Sequence, residues 1–417
     1  FFYYFFLKDD LQYVMHQKKL VCNTNISKPF VVEAITEERR IKGFWLPVAE
    51  EIPKEKVLLL TENTNVYLNN KSKFNIHFLI EFSLAEWIKS RLFIINFILK
   101  NFKVLYKKKS LFAPLKPIHI INILILQISY VVKIKYLIKK HNPNGFLTFW
   151  DWYELGSAGS CVFKSSGLPS FTFIHGAAGE KSLREFVPLN ADYIFSWGKH
   201  NTRSLINLGV RQTQILECGC QRMASFNDKK FNEIASIKNT ILILLTAIID
   251  EYFTNDIVYV VNHYSKDYSI IVRLHPSTMI NNLDIKLQNL NINFVTRNDE
   301  TIEMSIGKSE FIIVDTSTAG FDAINMDKPV FVIDSAPVQR AQDIMEDIVN
   351  YSAAIFCRSV TDFDNIFQHY IVDEEYRRQL SLNRKRFVDD FILDTGAKVT
   401  NNIIKYLNSI VVLNLNK

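Results

Sequence analysis

The sequence predicts an α/β protein made of two Rossmann-like, doubly wound domains that face each other across a cleft. Two observations carry this prediction. The chain has 417 residues, which exceeds the ~250–300 residues at which a single hydrophobic core stops growing. From residue 145 onward, short apolar runs alternate with amphipathic segments of helix length, a pattern typical of parallel strands covered by helices on both faces.

The first half of the chain ends with several strand–helix units. An apolar segment at 118–140 predicts a helix, and the turn sequence HNPNG ends it at 141–145. Strands are predicted at 146–150, 170–174 and 193–197, and helices at 156–166 and 199–208. A polar, irregular stretch then predicts a domain boundary near residue 220.

The second half contains a further series of strands and helices. The strand predictions fall at 241–247, 269–276, 293–296, 311–317, 329–334 and 353–357. We therefore assign residues 1–220 to an N-terminal domain and residues 221–417 to a C-terminal domain.

Charge is distributed unevenly between these halves. Residues 1–220 carry 29 Lys and Arg against 17 Asp and Glu, whereas residues 221–417 carry 20 against 26. Within the first half, residues 84–142 form a basic helical region with 12 cationic residues and one acid, Glu86. No base-reading module accompanies this region. We therefore expect no nucleic-acid partner, and instead a surface for anionic lipid or an anionic glycan.

Cysteine usage and hydropathy indicate a cytoplasmic protein. Five Cys are an odd number and do not form a disulfide framework. The opening sequence FFYYFFLKDD lacks the basic leader of a secretory signal. The longest uncharged run, 117–132, has 16 residues and is shorter than the ~20 that a spanning helix needs. We expect a buried helix there, or alternatively one that lies on the inner face of the plasma membrane.

Ligands of open parallel sheets bind beyond the carboxyl ends of the strands, where loop amides and helix N-termini converge. Arg273, His275 and Pro276 lie at the carboxyl end of the strand predicted at 269–276, in the second half of the chain. A histidine fixed there by a following proline can donate to a phosphate or a nucleobase. A loop histidine before a turn proline is the alternative.

A second strand exit in this half has the sequence DTSTAGFDA, at 315–323. Thr316, Ser317 and Thr318 offer hydroxyls to a phosphate at a helix start. Gly320 would let the backbone approach a ligand. The carboxylate of Asp322 could accept hydrogen bonds from ribose hydroxyls, or it could hold the loop in place. Plain capping of the helix by the hydroxyls is the competing explanation.

Two strand exits in the first half also carry reactive side chains. Asp151 and Glu154 follow the strand at 146–150 and could act as general base or nucleophile from the gap between the domains; an acidic first turn of a helix is the alternative. His175 and Gly176 end the next strand, and Lys181 could meet a phosphate or carboxylate of the acceptor. A tight glycine turn explains that loop equally well.

Several common motifs do not occur in the sequence. It has no GxxxxGK[ST] loop, no GxGxxG fingerprint after a strand and no GxSxG elbow. These absences argue against a P-loop ATPase, an ordinary NAD enzyme and a serine hydrolase. Cys218 and Cys220 have no second Cys or His pair at ligand spacing, so no metal site is predicted.

Taken in order, these four sites resemble the glycosyltransferase B (GT-B) architecture. The His-Gly strand end, the Arg-x-His-Pro exit and the segment 315–323 followed by Lys-Pro-Val at 328–330 resemble bacterial capsule and lipopolysaccharide transferases. That group includes CMP-Kdo and CMP-sialic acid transferases and, more distantly, CDP-glycerol glycerophosphotransferases. The resemblance covers about residues 145–340.

The resemblance implies roles for particular residues. His275 corresponds to the histidine that contacts the donor phosphate, and Ser317 and Thr318 to the hydroxyl pair at that phosphate. Asp322 corresponds to the acidic residue of the following helix.

In the N-terminal domain, Asp151, with Glu154 in reserve, corresponds to the carboxylate that activates the acceptor or attacks the sugar. Sialyltransferases of this type carry an acidic pair followed directly by Gly, and residues 151–156 depart from that pattern.

We therefore expect a metal-independent glycosyltransferase that needs no bound cofactor. It would move a sugar, such as Kdo or another ulosonic acid, from a cytidine-nucleotide donor in the C-terminal domain to a surface polysaccharide or glycolipid on the N-terminal domain. Two alternatives stay open: a polyol-phosphate transferase of the CDP-glycerol or ribitol type, and a non-catalytic glycan-binding or assembly protein.

Overall fold

The structure of the protein is a computed structural model. It describes residues 28–35, 39–78, 92, 96, 100, 117–174, 180–220, 236–247, 249–276, 278–279, 283–290, 292–337 and 340–415.

A parallel sheet of seven strands occupies the first part of the described chain. Its strands are β1 Phe30–Glu33, β2 Val57–Thr61, β3 Asn75–Phe78, β4 Gly145–Thr148, β5 Ser170–Phe173, β6 Tyr193–Ser196 and β7 Ile215–Glu217. They lie in the order β3-β2-β1-β4-β5-β6-β7. The structure confirms the predicted strands that became β4, β5 and β6. The first three strands were not predicted, because the sequence before residue 118 was assigned no elements.

A second parallel sheet has six strands among the described residues. They are β8 Thr240–Leu244, β9 Ser269–Arg273, β10 Asn293–Val295, β11 Phe311–Val314, β12 Val330–Ile333 and β13 Ile355–Cys357. Their order is β10-β9-β8-β11-β12-β13. Each overlaps one of the six predicted segments, so this part of the prediction is confirmed. Every residue of β8, β11 and β12 is buried, as expected for central strands covered on both faces.

Helices cover both sheets. Those that follow strands of the first sheet are α1 Arg39–Glu51, α2 Thr64–Asn70, α3 Pro117–His141, α4 Glu154–Ser165, α5 Glu180–Leu183 and α6 Lys199–Asn207. Those of the second part are α7 Glu251–Tyr264, α8 Ile285–Gln288, α9 Ile302–Lys308, α10 Ala319–Asn325, α11 Arg340–Asn350, α12 Val360–Val372, α13 Glu374–Phe391 and α14 Ala397–Leu415.

Helix α3 contains the long uncharged run. Tyr130, Ile134 and Leu137 are buried in one core with Leu58 of β2 and Phe146 of β4. The C-terminal half of α3 therefore packs against the first sheet, as the buried-helix interpretation requires. Within the part of the chain that the structure describes, no helix is long and apolar enough to cross a membrane.

The last helix, α14, lies over the first sheet. Its residues Val399, Ile403 and Leu407 share a core with Phe44 and Trp45 of α1. The chain therefore crosses between the two sheets twice, once after β7 and once after α13. The boundary that we predict near residue 220 lies in the first crossing, although α14 belongs by packing with the N-terminal sheet.

The two crossings lie side by side. The backbone N–H of Cys220 donates to the carbonyl of Asp394 at 2.9 Å, and that of Leu393 donates to the carbonyl of Trp197 at 2.7 Å. Gly219 has a φ of +99°, and a Cβ there would overlap the Asp394 backbone. This position therefore needs glycine both for its conformation and for the close approach of the second crossing.

Candidate active site

Each sheet has a point where the strand order reverses, between β1 and β4 in the first sheet and between β8 and β11 in the second. The crevice beyond the carboxyl ends at such a point is where open parallel sheets bind ligands. Glu33 and Thr148 lie at this point in the first sheet, and Thr246 and Asp315 lie at it in the second. The fold thus defines two candidate half-sites.

The carboxyl edge of the first sheet faces the second domain. Lys181, just after β5, has its Nζ 3.6 Å from Oε2 of Glu346 on α11. Gly198, just after β6, lies so close to the end of α13 that a Cβ would come 2.7 Å from the carbonyl oxygen of Phe391. Of the three predicted acceptor residues, Lys181 is thus engaged across the domain boundary, while His175 and Gly176 lie outside the described residues.

The structure brings the predicted donor residues to one edge of the second sheet. β9 and β11 flank β8, so their ends lie about 10 Å apart, which is two strand spacings. His275, partly buried, follows β9 and is followed by the exposed Pro276. Residues 315–318 follow β11. A phosphate lying over the end of β8 would be within reach of both exits.

Arg273 is placed differently from the sequence expectation. Its side chain is buried, and the guanidinium donates to Oγ of Ser305 at 2.7 Å and to the carbonyl oxygen of Glu300 at 3.0 Å. These bonds tie the end of β9 to the start of α9. Arg273 therefore holds the neighbouring loop in place.

The three hydroxyl residues of the loop between β11 and α10 differ in how far they are buried. Ser317 is buried, whereas Thr316 and Thr318 are partly exposed. Thr318 occupies the N-cap position but its side chain makes no capping bond to the helix. Plain capping of the helix therefore does not explain this threonine.

Two further residues of this loop and helix were predicted to matter. Asp322 is buried within α10. At Gly320, a Cβ would meet Val314 Cγ2 at 3.5 Å and Met345 Cε at 3.8 Å, which are ordinary contacts. The position therefore has room for a methyl group, and crowding does not demand glycine there.

Asp315 also lies at this carboxyl edge of the second sheet, and no role was predicted for it from the sequence. It follows β11 directly and is buried. Its Oδ2 accepts hydrogen bonds from the hydroxyls of Thr246, at 3.4 Å, and Thr316, at 3.3 Å. Burial raises the pKa of its carboxyl to about 6. The signal for it was the same strand-exit rule that selected its neighbours.

Glu33 holds the corresponding place in the first sheet. It ends β1 beside β4, is fully buried, and accepts a hydrogen bond from the hydroxyl of Thr148. Burial raises the pKa of Glu33 from 4.5 to about 7, although this hydrogen bond opposes the shift. Glu33 was not predicted as a site residue, because no strand was predicted at residues 30–33.

Asp151 does not point into the gap between the domains, which corrects the sequence expectation. It is completely buried, and its Oδ2 accepts the backbone N–H groups of Asn190 and Ala191, each at 2.8 Å. The Asn190 side chain in turn donates to the Asp151 carbonyl at 2.9 Å. Two converging amides thus hold the carboxylate inside, where it fixes the loop before β6.

Glu154 and Glu62 are two carboxylates with exposed surface at this edge. Glu154 begins α4, is partly exposed, and helps to raise the pKa of the Tyr153 hydroxyl, for which burial is the larger cause. Glu62 accepts a hydrogen bond from the Tyr130 hydroxyl at 2.7 Å and lies 3.9 Å from Lys133 Nζ. Of the predicted pair, Glu154 is therefore the one with solvent-exposed surface.

The cysteine pair at the first crossing is buried. Cys218 lies 3.6 Å from the carbonyl oxygen of Ser196. Over the residues described, no three His, Cys, Asp or Glu side chains are arranged to hold a metal ion.

Sequence comparison finds no relative: no family model matches the chain, and no curated protein matches it. Solved structures do resemble it. UDP-GlcNAc 2-epimerase from Neisseria meningitidis, bound to UDP-GlcNAc, aligns with a TM-score of 0.57 at 13% identity, covering 92% of this chain and 100% of the epimerase chain. The wall teichoic acid polymerase TagF aligns with a TM-score of 0.53 at 14% identity, covering 93% and 91%.

A third similar structure is the glycotransferase of kitacinnamycin, with a TM-score of 0.53 at 11% identity and coverage of 91% and 99%. Identities this low establish the fold alone. The chain has the two-domain α/β fold of the GT-B class, as predicted. At this level, TagF agrees with the distant resemblance to CDP-glycerol transferases, whereas a CMP-Kdo transferase is not among these three.

Proposed function

We propose that this protein is a glycosyltransferase that takes a sugar from a nucleotide donor held by the second sheet. One observation carries the proposal: His275 and the hydroxyls at 316–318 share one carboxyl edge, at the reversal of strand order. The similarity to an epimerase solved with UDP-GlcNAc and to a solved glycotransferase supports it. We further propose cytidine as the base, on the resemblance of the strand-exit motifs.

In this proposal the chain's own groups stabilise the leaving phosphate. The imidazole of His275 and the hydroxyl of Thr318 donate to the phosphate oxygens, and the hydroxyl of Thr316 turns from Asp315 to do the same. Such donors stabilise charge that develops in a transition state. We propose no bound cofactor for the reaction. Glu154 takes the role of general base toward the acceptor hydroxyl, because Asp151 is buried.

The direct test is an assay with purified protein and a panel of CMP-, CDP- and UDP-linked donors. Released nucleotide and the mass of the acceptor product are measured together. His275→Gln should lower turnover at least 100-fold. His263→Gln is the matched control, because His263 is exposed in the last turn of α7, at the opposite end of that helix from the edge. Equal losses in both variants, or no loss in His275→Gln, would contradict the proposal.

A polyol-phosphate transferase is the second candidate, and the similarity to TagF favours it. It would use the same edge but move a phosphate-containing unit. The product mass decides: transfer from CDP-glycerol adds a glycerol phosphate, whereas a glycosyltransferase adds a sugar without phosphorus. Absence of turnover with every donor, in the wild type and in His275→Gln alike, would instead support a non-catalytic glycan-binding or assembly protein.

We also propose a peripheral position at the cytoplasmic face of the membrane. The positive charge of residues 84–142 supports this position, and about half of that region lies outside the described residues. The acceptor, a surface polysaccharide or glycolipid, would then be met at that face. Binding to vesicles containing phosphatidylserine should weaken between 0.05 and 0.5 M salt, because added ions screen such attraction. Binding that ignores salt would contradict the electrostatic part.

A further inference from the structure

Glu33 is connected to the start of α4 by a series of hydrogen bonds. Its Oε2 accepts the hydroxyl of Thr148, at the end of β4, and Oγ1 of Thr148 accepts the backbone N–H of Trp150 at 3.2 Å. The carbonyl oxygen of Trp150 accepts the N–H of Tyr153 at 3.2 Å, and the carbonyl oxygen of Tyr153 accepts that of Ser157 at 2.7 Å. We refer to these bonds as the Glu33 network, which ends in the first turn of α4.

The first turn of α4 is held by this network and not by a capping side chain. Tyr153 is the N-cap residue, and its side chain makes no capping bond to the described helix, although such a bond commonly fixes a helix start. Instead, the turn lies directly on the network: a Cβ at Gly156 would come 2.4 Å from Oγ1 of Thr148 and 2.2 Å from the carbonyl oxygen of Trp150. The position of Glu154, the first residue of α4, therefore depends on these atoms.

Glu33 has almost no surface from which to contact a substrate. It is 1% exposed, and Thr148 is equally buried. A buried hydroxyl without an acceptor is costly, and Glu33 supplies the acceptor that the Thr148 hydroxyl needs. The backbone amide of Phe149 also stabilises the charged form of Glu33 and so opposes the rise of its pKa. The carboxyl group therefore holds the loop before α4 at two points.

We propose that Glu33 is a positioning residue of the acceptor half-site: together with Thr148 it fixes the start of α4 and so directs the Glu154 carboxylate toward the acceptor hydroxyl. A general base must lie within hydrogen-bond reach of the proton that it takes, and a displacement of about 1 Å can lower a rate about 100-fold. A loosened loop should therefore lower kcat. It should not weaken binding of the nucleotide sugar, which the second sheet holds. This inference rests on the proposed function.

The test removes the two polar groups of the network separately and together. Glu33→Met and Thr148→Val roughly preserve the volume of each side chain but remove the carboxylate and the hydroxyl. Glu33→Gln and Thr148→Ser keep an acceptor and a hydroxyl in place. Thr172→Val is the matched control, because Thr172 is buried on β5 in register with Thr148, and its hydroxyl has no hydrogen-bond partner among the described residues.

Two measurements are made on each variant of the full chain. Nucleotide release from the most active of the CMP-, CDP- and UDP-linked donors gives kcat and the KM of the nucleotide sugar. Hydrogen exchange followed by mass spectrometry reports the protection of the backbone amides at 150–157. Thermal unfolding confirms that each variant is folded, and Thr148→Val carries the test if Glu33→Met does not fold.

We expect Glu33→Met and Thr148→Val each to lower kcat at least tenfold, with the KM of the nucleotide sugar within twofold of wild type and faster exchange at 150–157. The double variant should fall no more than threefold below the single variants, because groups that act as a unit have non-additive effects. Glu33→Gln, Thr148→Ser and Thr172→Val should stay within threefold of wild type.

Two results would overturn the inference and leave the proposed function intact. One is a loss of kcat in Thr148→Val no larger than that in Thr172→Val. The other is unchanged exchange at 150–157 in Thr148→Val. Absence of turnover in the wild type with every nucleotide sugar would overturn the proposed function, and the inference with it.

Discussion

Nε2 of His200 lies 3.2 Å from Oδ1 of Asp347, and the two residues belong to helices of different domains, α6 and α11. Asp347 is buried, and its other carboxylate oxygen has no hydrogen-bond partner. The His200 ring also packs edge-on against Tyr351. This contact is an ion pair when the imidazole is protonated, and it ties the two domains together at their interface.

Removing the imidazole should leave a buried carboxylate without its partner. We expect His200→Ala to lower the free energy of unfolding by about 2–4 kcal/mol, as measured by urea denaturation. His200→Ala/Asp347→Asn should recover part of this loss, because the uncompensated charge is then gone. Additive effects of the two single substitutions would show that the contact carries no coupling energy.

Glu33 should make stability depend on pH. Its folded pKa of about 7 lies above the ordinary 4.5, so the folded state holds the proton more tightly than the unfolded state. Stability should therefore fall as the pH rises from about 4.5 to about 7, and stay level above that. Glu33→Gln removes this contribution, and the difference between variant and wild type should grow by roughly 2–3 kcal/mol between pH 5 and pH 8.

Urea midpoints at the two pH values measure the effect of Glu33→Gln. Glu50→Gln is the matched control, because Glu50 is exposed at the surface of α1. An equal pH response in wild type and Glu33→Gln would contradict the role assigned to burial.

Substitutions of Asp151 should lower stability, whereas substitution of Glu154 should lower turnover. Asp151→Ala leaves the amides of Asn190 and Ala191 unpaired and should cost about 2–3 kcal/mol. Asp151→Asn keeps an acceptor oxygen, so we expect turnover within threefold of wild type. Glu154→Gln should instead lower kcat at least 100-fold with little change in the unfolding temperature. Loss of kcat in Asp151→Asn at unchanged stability would restore the catalytic role first expected of it.

Two helical glycines should respond oppositely to alanine. Gly320→Ala meets only ordinary contacts and should stabilise the protein by about 0.5–1 kcal/mol, because alanine restricts the unfolded chain. At Gly156, on α4, a Cβ would overlap the carbonyl of Trp150 and the hydroxyl of Thr148, so Gly156→Ala should destabilise by more than 1 kcal/mol. Calorimetric unfolding temperatures measure both. Destabilisation by Gly320→Ala would mean that its backbone has a further requirement.

The second sheet could be predicted from sequence because most of its strands are short apolar runs with clear exits. The segment at 311–314 is entirely apolar and fully buried, and the motif after it placed 316–318 correctly at the edge. β3 was missed because Asn75–Phe78 alternates polar and apolar residues over four positions only, a length at which periodicity is weak.

Other features depend on contacts between distant residues and leave no local pattern. The burial of Asp151 depends on amides at 190 and 191, and the engagement of Arg273 depends on Ser305. Strand-exit reasoning identifies the residue types at an edge, but not which of them the fold turns inward. The return of α14 to the first sheet also depends on contacts with distant residues, because the apolar face of this helix does not by itself indicate which sheet it covers.

That return makes the second unit an internal insertion in the first. The polypeptide departs at Cys220 and re-enters beside Asp394, and the two points are joined by a 2.9 Å backbone hydrogen bond. The first unit is therefore built from two separate stretches of chain, one that ends near residue 220 and one that begins near residue 394. A simple cut near residue 220 would strip α14 from that unit and expose its apolar core.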